Sequence, residues 1–131
     1  MLHDAAQALS ASLSPDPPAI QIQRRDDIVF VDLLTPELIG DDAIERMADE
    51  VAGVIAAEQL PRVVMNFEHV RHISSTMLGT LITLRNRVEA RGGQMRLAAL
   101  RGRHKRLLRV THLDTLFEVH ATAEQAAASL R

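Results

Sequence analysis

Three adjacent hydroxyl side chains form the part of this sequence best suited to chemistry. Ser74, Ser75 and Thr76 follow a short apolar run and precede a segment with helical periodicity. A hydroxyl at the start of a helix can cap a free backbone N–H group, and an exposed one can accept a phosphoryl group from a kinase. Capping accounts for only one of the three, so the residues themselves leave both roles open.

Two histidines, His69 and His72, precede the hydroxyls and suggest other kinds of site. Either imidazole could act as a base toward Ser75, or the two could bind a metal ion. No third ligand stands at a recognisable spacing, so solvated loop histidines are favoured. We therefore predict no metal site and no catalytic residue.

Motifs of common enzymes are missing from the sequence. It contains no Gly-rich phosphate loop ending in Lys-Ser or Lys-Thr, no Gly-x-Ser-x-Gly elbow and no His-Glu-x-x-His pair. A receiver domain would need a phosphoryl-accepting Asp after the central strand, where this chain has Asn66. We predict a protein that is not an enzyme and needs no cofactor. An enzyme that depends on His72 or Ser75 is the least favoured alternative.

Composition narrows the class of protein further. Hydrophobic residues make up 47% and charged residues 24% of the 131 residues, as in a single globular domain. A net charge of −2 and an aromatic content of 2% argue against nucleic-acid binding. Cysteine is absent, and no apolar run approaches the ~20 residues of a membrane helix. We therefore expect a cytoplasmic protein without membrane insertion.

Hydrophobic periodicity predicts the elements that must position the hydroxyls. Residues 1–18 end in a proline-rich stretch and are predicted to be a flexible tail, with the folded domain over 19–131. A hairpin turning at Asp26-Asp27 comes first, followed by a helix over about 41–58. The apolar run at 63–67 should be a central strand buried on both faces.

Gly92-Gly93 is predicted to stop the helix that follows the hydroxyls. A strand over 95–100, a short helix, a strand over 117–119 and an Ala-rich terminal helix complete the order ββαβαβαβα. Such alternation predicts an α/β fold with a mixed, mainly parallel sheet of about five strands and about four helices. Ligand sites in such sheets lie beyond the carboxyl ends of the strands, where the hydroxyl loop emerges.

A run of basic residues lies in the predicted short helix and in the residues just before it. It could meet an acidic partner, but a solvated helix face is the favoured interpretation. The run comprises Arg101, Arg103, His104, Lys105, Arg106 and Arg109.

The segment from Asn66 to Gly79, NFEHVRHISSTMLG, resembles the signature of STAS domains, named for sulfate transporters and anti-sigma-factor antagonists. The family pattern is approximately Asp-Leu-Ser-x-Val-x-x-Ile-Asp-Ser-Ser-Gly-Leu-Gly, and it aligns without a gap. The resemblance continues to the C-terminus and covers roughly residues 19–131. It places the family's phosphorylated serine on Ser75 and the serine after it on Thr76.

The resemblance implies an anti-sigma-factor antagonist in a partner-switching pathway. In that family the unmodified protein binds an anti-sigma factor, often a serine-protein kinase, and phosphorylation reverses the binding. A phosphatase is a possible further partner, and the oligomeric state is left open. Ser75 is then the first candidate for phosphorylation, followed by Thr76 and Ser74.

Two residues depart from the family pattern, since Ser74 replaces an Asp and Met77 replaces a Gly. These changes motivate an alternative function, a constitutive scaffold subunit of a signalling or transporter complex without a phospho-switch. The helix after the hydroxyls is the expected partner surface, with Thr80, Thr83, Arg87 and the nearby His72. Met77 and Leu84 either add an apolar contact for the partner or pack in the core.

Overall fold

A mixed five-stranded sheet forms the centre of the protein. The computed structural model describes residues 20–38 and 40–130, so the predicted tail lies outside the described residues. The strands are β1 (Ile20–Arg25), β2 (Ile28–Leu33), β3 (Glu37–Leu38), β4 (Arg62–Asn66), β5 (His72–Ile73), β6 (Gln94–Ala98) and β7 (Glu118–His120). The helices are α1 (Asp41–Ala57), α2 (Ser75–Ala90), α3 (Gly102–Val110) and α4 (Ala123–Ala128).

Sheet topology confirms the predicted α/β order. The main sheet runs β1-β2-β4-β6-β7, with β1 antiparallel to β2 and the other neighbours parallel. Each parallel step is bridged by one of the helices α1, α2 and α3, as a crossover requires. The short parallel pair β3 and β5 was not predicted, because two residues are too few to show a periodicity.

The first hairpin turns on two aspartates, as the sequence predicted. Asp26 and Asp27 have φ angles of 53° and 63°, the left-handed values required at both central positions of a tight two-residue turn. Aspartate tolerates this region better than most residues with a side chain. Next to the turn, the Arg25 guanidinium lies 4.1 Å from the ring centre of Phe30.

Hydrophobic packing covers both faces of the sheet. On one face, Val29, Val31, Val63 and Met65 pack in a core to which α1, α2 and α3 contribute. On the other face, a smaller core joins Ile28, Phe30, Val64 and Ala98 to four residues of the C-terminal segment: Ala123, Ala126, Ala127 and Leu130. Strands β2 and β4 are therefore buried on both sides, which explains their continuous apolar runs.

The glycine pair after α2 is required by the path of the chain. Gly92 has a φ of +75°, and Gly93 lies so close to the backbone of Pro61 that a Cβ would overlap the Pro61 carbonyl oxygen. That same oxygen accepts a 2.9 Å hydrogen bond from the N–H of Gln94. The predicted helix stop is thus also the point where β6 joins the sheet.

We expect Gly93→Ala to lower the free energy of unfolding by about 1–3 kcal/mol, because the new methyl group must displace the Pro61 backbone. Gly53→Ala is the matched control. Gly53 lies within α1 with open space around its Cβ position, so alanine should stabilise the helix by about 0.5–1 kcal/mol. Urea unfolding midpoints of the two variants would check this. Equal shifts in the same direction would contradict the close approach of Gly93 to Pro61 as the cause.

Candidate functional site

Ser74 is the residue that caps helix α2. Its backbone is extended, with φ −85° and ψ 164°, and its Oγ accepts a 3.1 Å hydrogen bond from the N–H of Met77. Ser75 is the first residue of the helix itself. Of the three adjacent hydroxyls, the one that caps the helix is therefore that of Ser74.

Ser75 and Thr76 have side chains that capping does not use. Both residues are exposed, and neither hydroxyl forms a hydrogen bond with any of the described residues. They occupy the first turn of α2, where backbone N–H groups lack helical partners and the helix dipole is positive. An added negative charge at this place is therefore tolerated by the domain.

The loop over residues 67–74, here called the hydroxyl loop, is held from its amino-terminal side by the sheet. Phe67 and Val70 are fully buried, and the N–H of Phe67 donates to the Ala98 carbonyl at 2.9 Å. The Pro36 carbonyl accepts hydrogen bonds from the N–H groups of Arg71, at 2.7 Å, and His72, at 3.1 Å. These contacts leave the loop little freedom to move as it delivers the chain to α2.

Side chains from the start of α3 hold the same loop from the other side. Arg101 Nε donates to the Val70 carbonyl at 3.0 Å, and the Arg103 guanidinium donates to the Arg71 carbonyl. His104 Nε2 lies 2.9 Å from that carbonyl as well. The predicted solvated helix face is wrong for His104, which is buried. Arg101 and Arg103 are exposed as predicted, but their guanidinium groups also bind the hydroxyl loop.

The hydrogen bond to Arg71 determines which ring nitrogen of His104 carries a proton. The residue is 5% exposed, and the Arg71 carbonyl can only accept, so Nε2 carries the proton. Its Nδ1 is buried without a partner in the described part of the chain. Desolvation lowers the pKa of His104, and Arg103, Arg101 and His72 lower it further, against an opposing effect of the Arg71 hydrogen bond.

Asn66 joins the carboxyl ends of the two central strands. Its Nδ2 donates to Asp32 Oδ1 of β2 at 3.0 Å, and its Oδ1 accepts a 3.2 Å hydrogen bond from the N–H of Glu68. The amide therefore bonds with both of its ends at the point where the hydroxyl loop begins. Asn66, which occupies the position of the phosphoryl-accepting aspartate of a receiver domain, therefore has a structural role here.

Met77 and Leu84 belong to the core. Their exposed fractions are 0% and 1%, and both pack in the larger hydrophobic cluster. The interpretation of these two residues as an apolar contact for a partner is therefore wrong, and the alternative of core packing is what the structure shows. Met77 enters the core because the buried face of α2 is wider than the stripe read from the sequence.

The polar row of α2 lines a groove against α1. The groove has a volume of about 420 Å³, and its walls include Thr76, Thr80, Thr83 and Arg87 of α2 together with Asp49 of α1. Apart from Met77 and Leu84, four residues were expected to form the partner surface. The groove brings three of them together beside Thr76: Thr80, Thr83 and Arg87. His72 is exposed on β5 and lies outside the lining of this groove.

The loop histidines do not assemble a metal centre. His69 and His72 are both exposed, and no group of three potential His, Cys, Asp or Glu ligands occurs within residues 20–38 and 40–130. In the same ranges, no helix is both long and apolar enough to cross a membrane.

These features define an α/β domain that presents hydroxyls at a helix start beyond its central strand. The model of the STAS domain family matches residues 19–126, and this chain belongs to that family.

Solved structures share the fold at low sequence identity. An anti-sigma-factor antagonist STAS protein from Planctomyces limnophilus has a TM-score of 0.75 at 16% identity, over 85% of this chain and 97% of its own. An anti-sigma factor antagonist from Mycobacterium paratuberculosis has a TM-score of 0.74 at 19% identity, over 90% and 97%. Phosphorylated SpoIIAA from Bacillus has a TM-score of 0.67 at 21% identity, over 86% and 100%.

The different roles of the two serines lead to different expected effects on stability. Ser74→Ala should cost about 1 kcal/mol, because it removes the acceptor for the N–H of Met77. Ser75→Ala should change the free energy of unfolding by less than about 0.5 kcal/mol, since its hydroxyl is exposed. Urea unfolding of the two variants would check this, and a larger loss for Ser75→Ala would contradict the assignment of the cap.

His104 should make the stability of the fold depend on pH. Its pKa is lowered from 6.5 in the folded protein, so the unfolded chain binds more protons between that lowered value and 6.5. The stability that neutral His104 contributes is fully present above pH 6.5, and it is lost as the pH decreases through this window. We expect His104→Gln, which keeps a donor for Arg71 but does not titrate, to remove part of the slope. Urea midpoints of both proteins across this range would measure it, and parallel curves would contradict the prediction.

Proposed function

We propose that this chain is a non-enzymatic regulator of the anti-sigma-factor antagonist type, which binds an anti-sigma factor with serine kinase activity and is switched by phosphorylation of Ser75. The observation that carries the proposal is the Ser75 hydroxyl. It is exposed, forms no hydrogen bond with the described residues, and stands at the first position of α2, directly after a loop held from both sides. The kinase would supply ATP, magnesium and catalysis.

Hydrogen bonding and the family signature together rank the three candidate acceptors. Ser74 is last, because its Oγ is occupied by the Met77 N–H and phosphorylation would disturb the helix cap. Ser75 and Thr76 both have exposed hydroxyls without a hydrogen bond to the described residues. The resemblance to the STAS signature supports Ser75 as the phosphorylated serine, so Ser75 is the first candidate and Thr76 the second.

Phosphorylation would act on the interface and leave the domain folded. A phosphate carries nearly two negative charges, which the free N–H groups and the dipole at the start of α2 can accommodate. A partner docked over the same helix start would have to bury or face that charge, at a cost of several kcal/mol. The switch therefore needs no rearrangement of the fold.

The groove between α1 and α2 is the partner surface that we propose. Arg87 is exposed there and forms no ion pair within the residues that the structure describes, so its charge is available to a partner. Thr80 and Thr83 line the same groove. His72 lies at the loop and would extend the contact past the hydroxyls.

The two departures from the family signature are compatible with a switch. Met77 adds no bulk to the surface, because its side chain is fully buried. Ser74 retains the capping function, since serine and aspartate cap helices about equally well. Only the loss of the Asp charge at position 74, where this chain has Ser74, still favours a constitutive scaffold. The phosphorylated form of SpoIIAA, which shares this fold, supports the switch.

The test is the mass of the protein isolated from its own cells, with and without phosphatase treatment. We expect a fraction with one added phosphate that maps to Ser75, and its loss in Ser75→Ala. Thr76→Ala is the matched control and should keep the phosphate. A partner captured on the unmodified protein should be released when ATP and magnesium allow phosphorylation.

Two results would contradict this proposal. A phosphate that persists in Ser75→Ala and disappears in Thr76→Ala would move the acceptor to Thr76. Absence of phosphate under all growth conditions, with a partner that stays bound in the presence of ATP, would favour the constitutive scaffold instead.

A further inference from the structure

Two helices on the same side of the sheet carry opposite charges, and the exposed charges considered below form no ion pair within the described residues. Helices α1 and α3 both contribute to the larger core, and the crossover order places them on either side of α2. Helix α1 contains five carboxylates and a single cation, Arg46, whereas α3 contains four cations and no carboxylate. The protein as a whole is nearly neutral, at −2.

The carboxylates of α1 form an acidic stripe, defined here as Asp41, Glu45 and Asp49. These residues are spaced four apart, lie on one face of the helix and are all exposed. At 1.5 Å per residue the stripe is about 12 Å long. None of the three forms an ion pair with any residue in 20–38 or 40–130.

The cations of α3 form a basic stripe, defined here as Lys105, Arg106 and Arg109. All three are exposed and, like the acidic stripe, have no ion pair among the described residues. Unlike Arg101 and Arg103, they do not hold the hydroxyl loop. The stripe borders a concave surface of about 490 Å³ whose lining includes Lys105, Arg109, Phe117 and Val119, together with one carboxylate, Asp114, which forms no ion pair with the described residues.

Both stripes are electrostatically unfavourable within a single molecule. Asp41 and Glu45, Glu45 and Asp49, and Lys105 and Arg109 are like-charged pairs at a spacing of four residues. Each such pair destabilises its helix. Facing the two stripes toward each other would relieve both repulsions, but α2 lies between α1 and α3, so the opposite stripe must come from another molecule.

We propose that the basic stripe of one copy docks on the acidic stripe of a second copy. The basic stripe, about 6 Å from Lys105 to Arg109, fits within the length of the acidic stripe. Because the two surfaces differ, the contact is heterologous, and each copy keeps one free stripe of each kind. Association therefore continues beyond a dimer with rising concentration, and it weakens as salt screens the charges.

Sedimentation velocity of the purified full chain over a range of concentrations tests the proposal. We expect the weight-average mass to rise with concentration at about 0.01 M NaCl and to fall to the monomer mass at about 1 M NaCl. Two charge reversals separate the surfaces: Glu45→Lys with Asp49→Lys, and Arg106→Glu with Arg109→Glu. Each should weaken self-association at least about tenfold.

Mixing the two reversed proteins is the decisive experiment. The acidic α1 of one variant then meets the basic α3 of the other, so the mixture should associate although neither variant does alone. Glu124→Lys, an exposed change on the opposite face of the sheet, is the control and should behave like the unmodified protein. Circular dichroism would verify that each variant is folded.

Three results would overturn the proposal. The first is an unmodified protein that stays monomeric at low salt and high concentration. The second is association that the reversals do not weaken, which would require another surface. The third is a mixture of the two reversed proteins that fails to associate, since it would show that the stripes do not pair with each other.

Discussion

The burial of strand β4 on both faces is the constraint on which the rest of the structure depends. Val63 and Met65 face the three-helix side of the sheet and Val64 faces α4, so the strand itself has no surface to offer a partner. The three central residues of the strand are buried, so polar groups stand at its two ends, at Arg62 and from Asn66 onward. The hydroxyls lie at the carboxyl edge because the centre of the sheet is fully occupied by packing.

An irregular loop beside a packed core needs donors for its carbonyls, and this need links the site to α3. Burial of an unpaired backbone carbonyl costs about as much as a lost hydrogen bond. The carbonyls of Val70 and Arg71 receive their donors from Arg101, Arg103 and His104. Anything that displaces α3 therefore also loosens the loop that precedes Ser75, which couples the first turn of α3 to the proposed phosphoacceptor at the start of α2.

Local patterns made most of the fold predictable from the sequence, including the position of the three hydroxyls at a helix start, because helices, strands and caps leave periodic or short-range signals. What could not be predicted depends on tertiary contacts. Met77 was left open between a partner contact and the core because the apolar stripe was taken as narrow, and the width of the buried face is set by tertiary packing. Arg101 and Arg103 resembled solvated charges because their partners are backbone carbonyls some 31 and 32 residues away. His104 offered one signal, its place three and four residues before Leu107 and Leu108 on the inner face of α3.

The carboxylate of Asp49 connects partner binding with self-association. It lines the groove beside Thr76 and Arg87, and it is also the last residue of the acidic stripe on α1. A neighbouring copy whose α3 covers Asp49 must reach the rim of that groove, so a partner in the groove and a second copy on the stripe compete for the same place. The proposed phosphorylation of Ser75 would add negative charge on this side of the molecule, where it would attract a basic stripe. The modification that we propose to release a partner would then also favour assembly of the released protein.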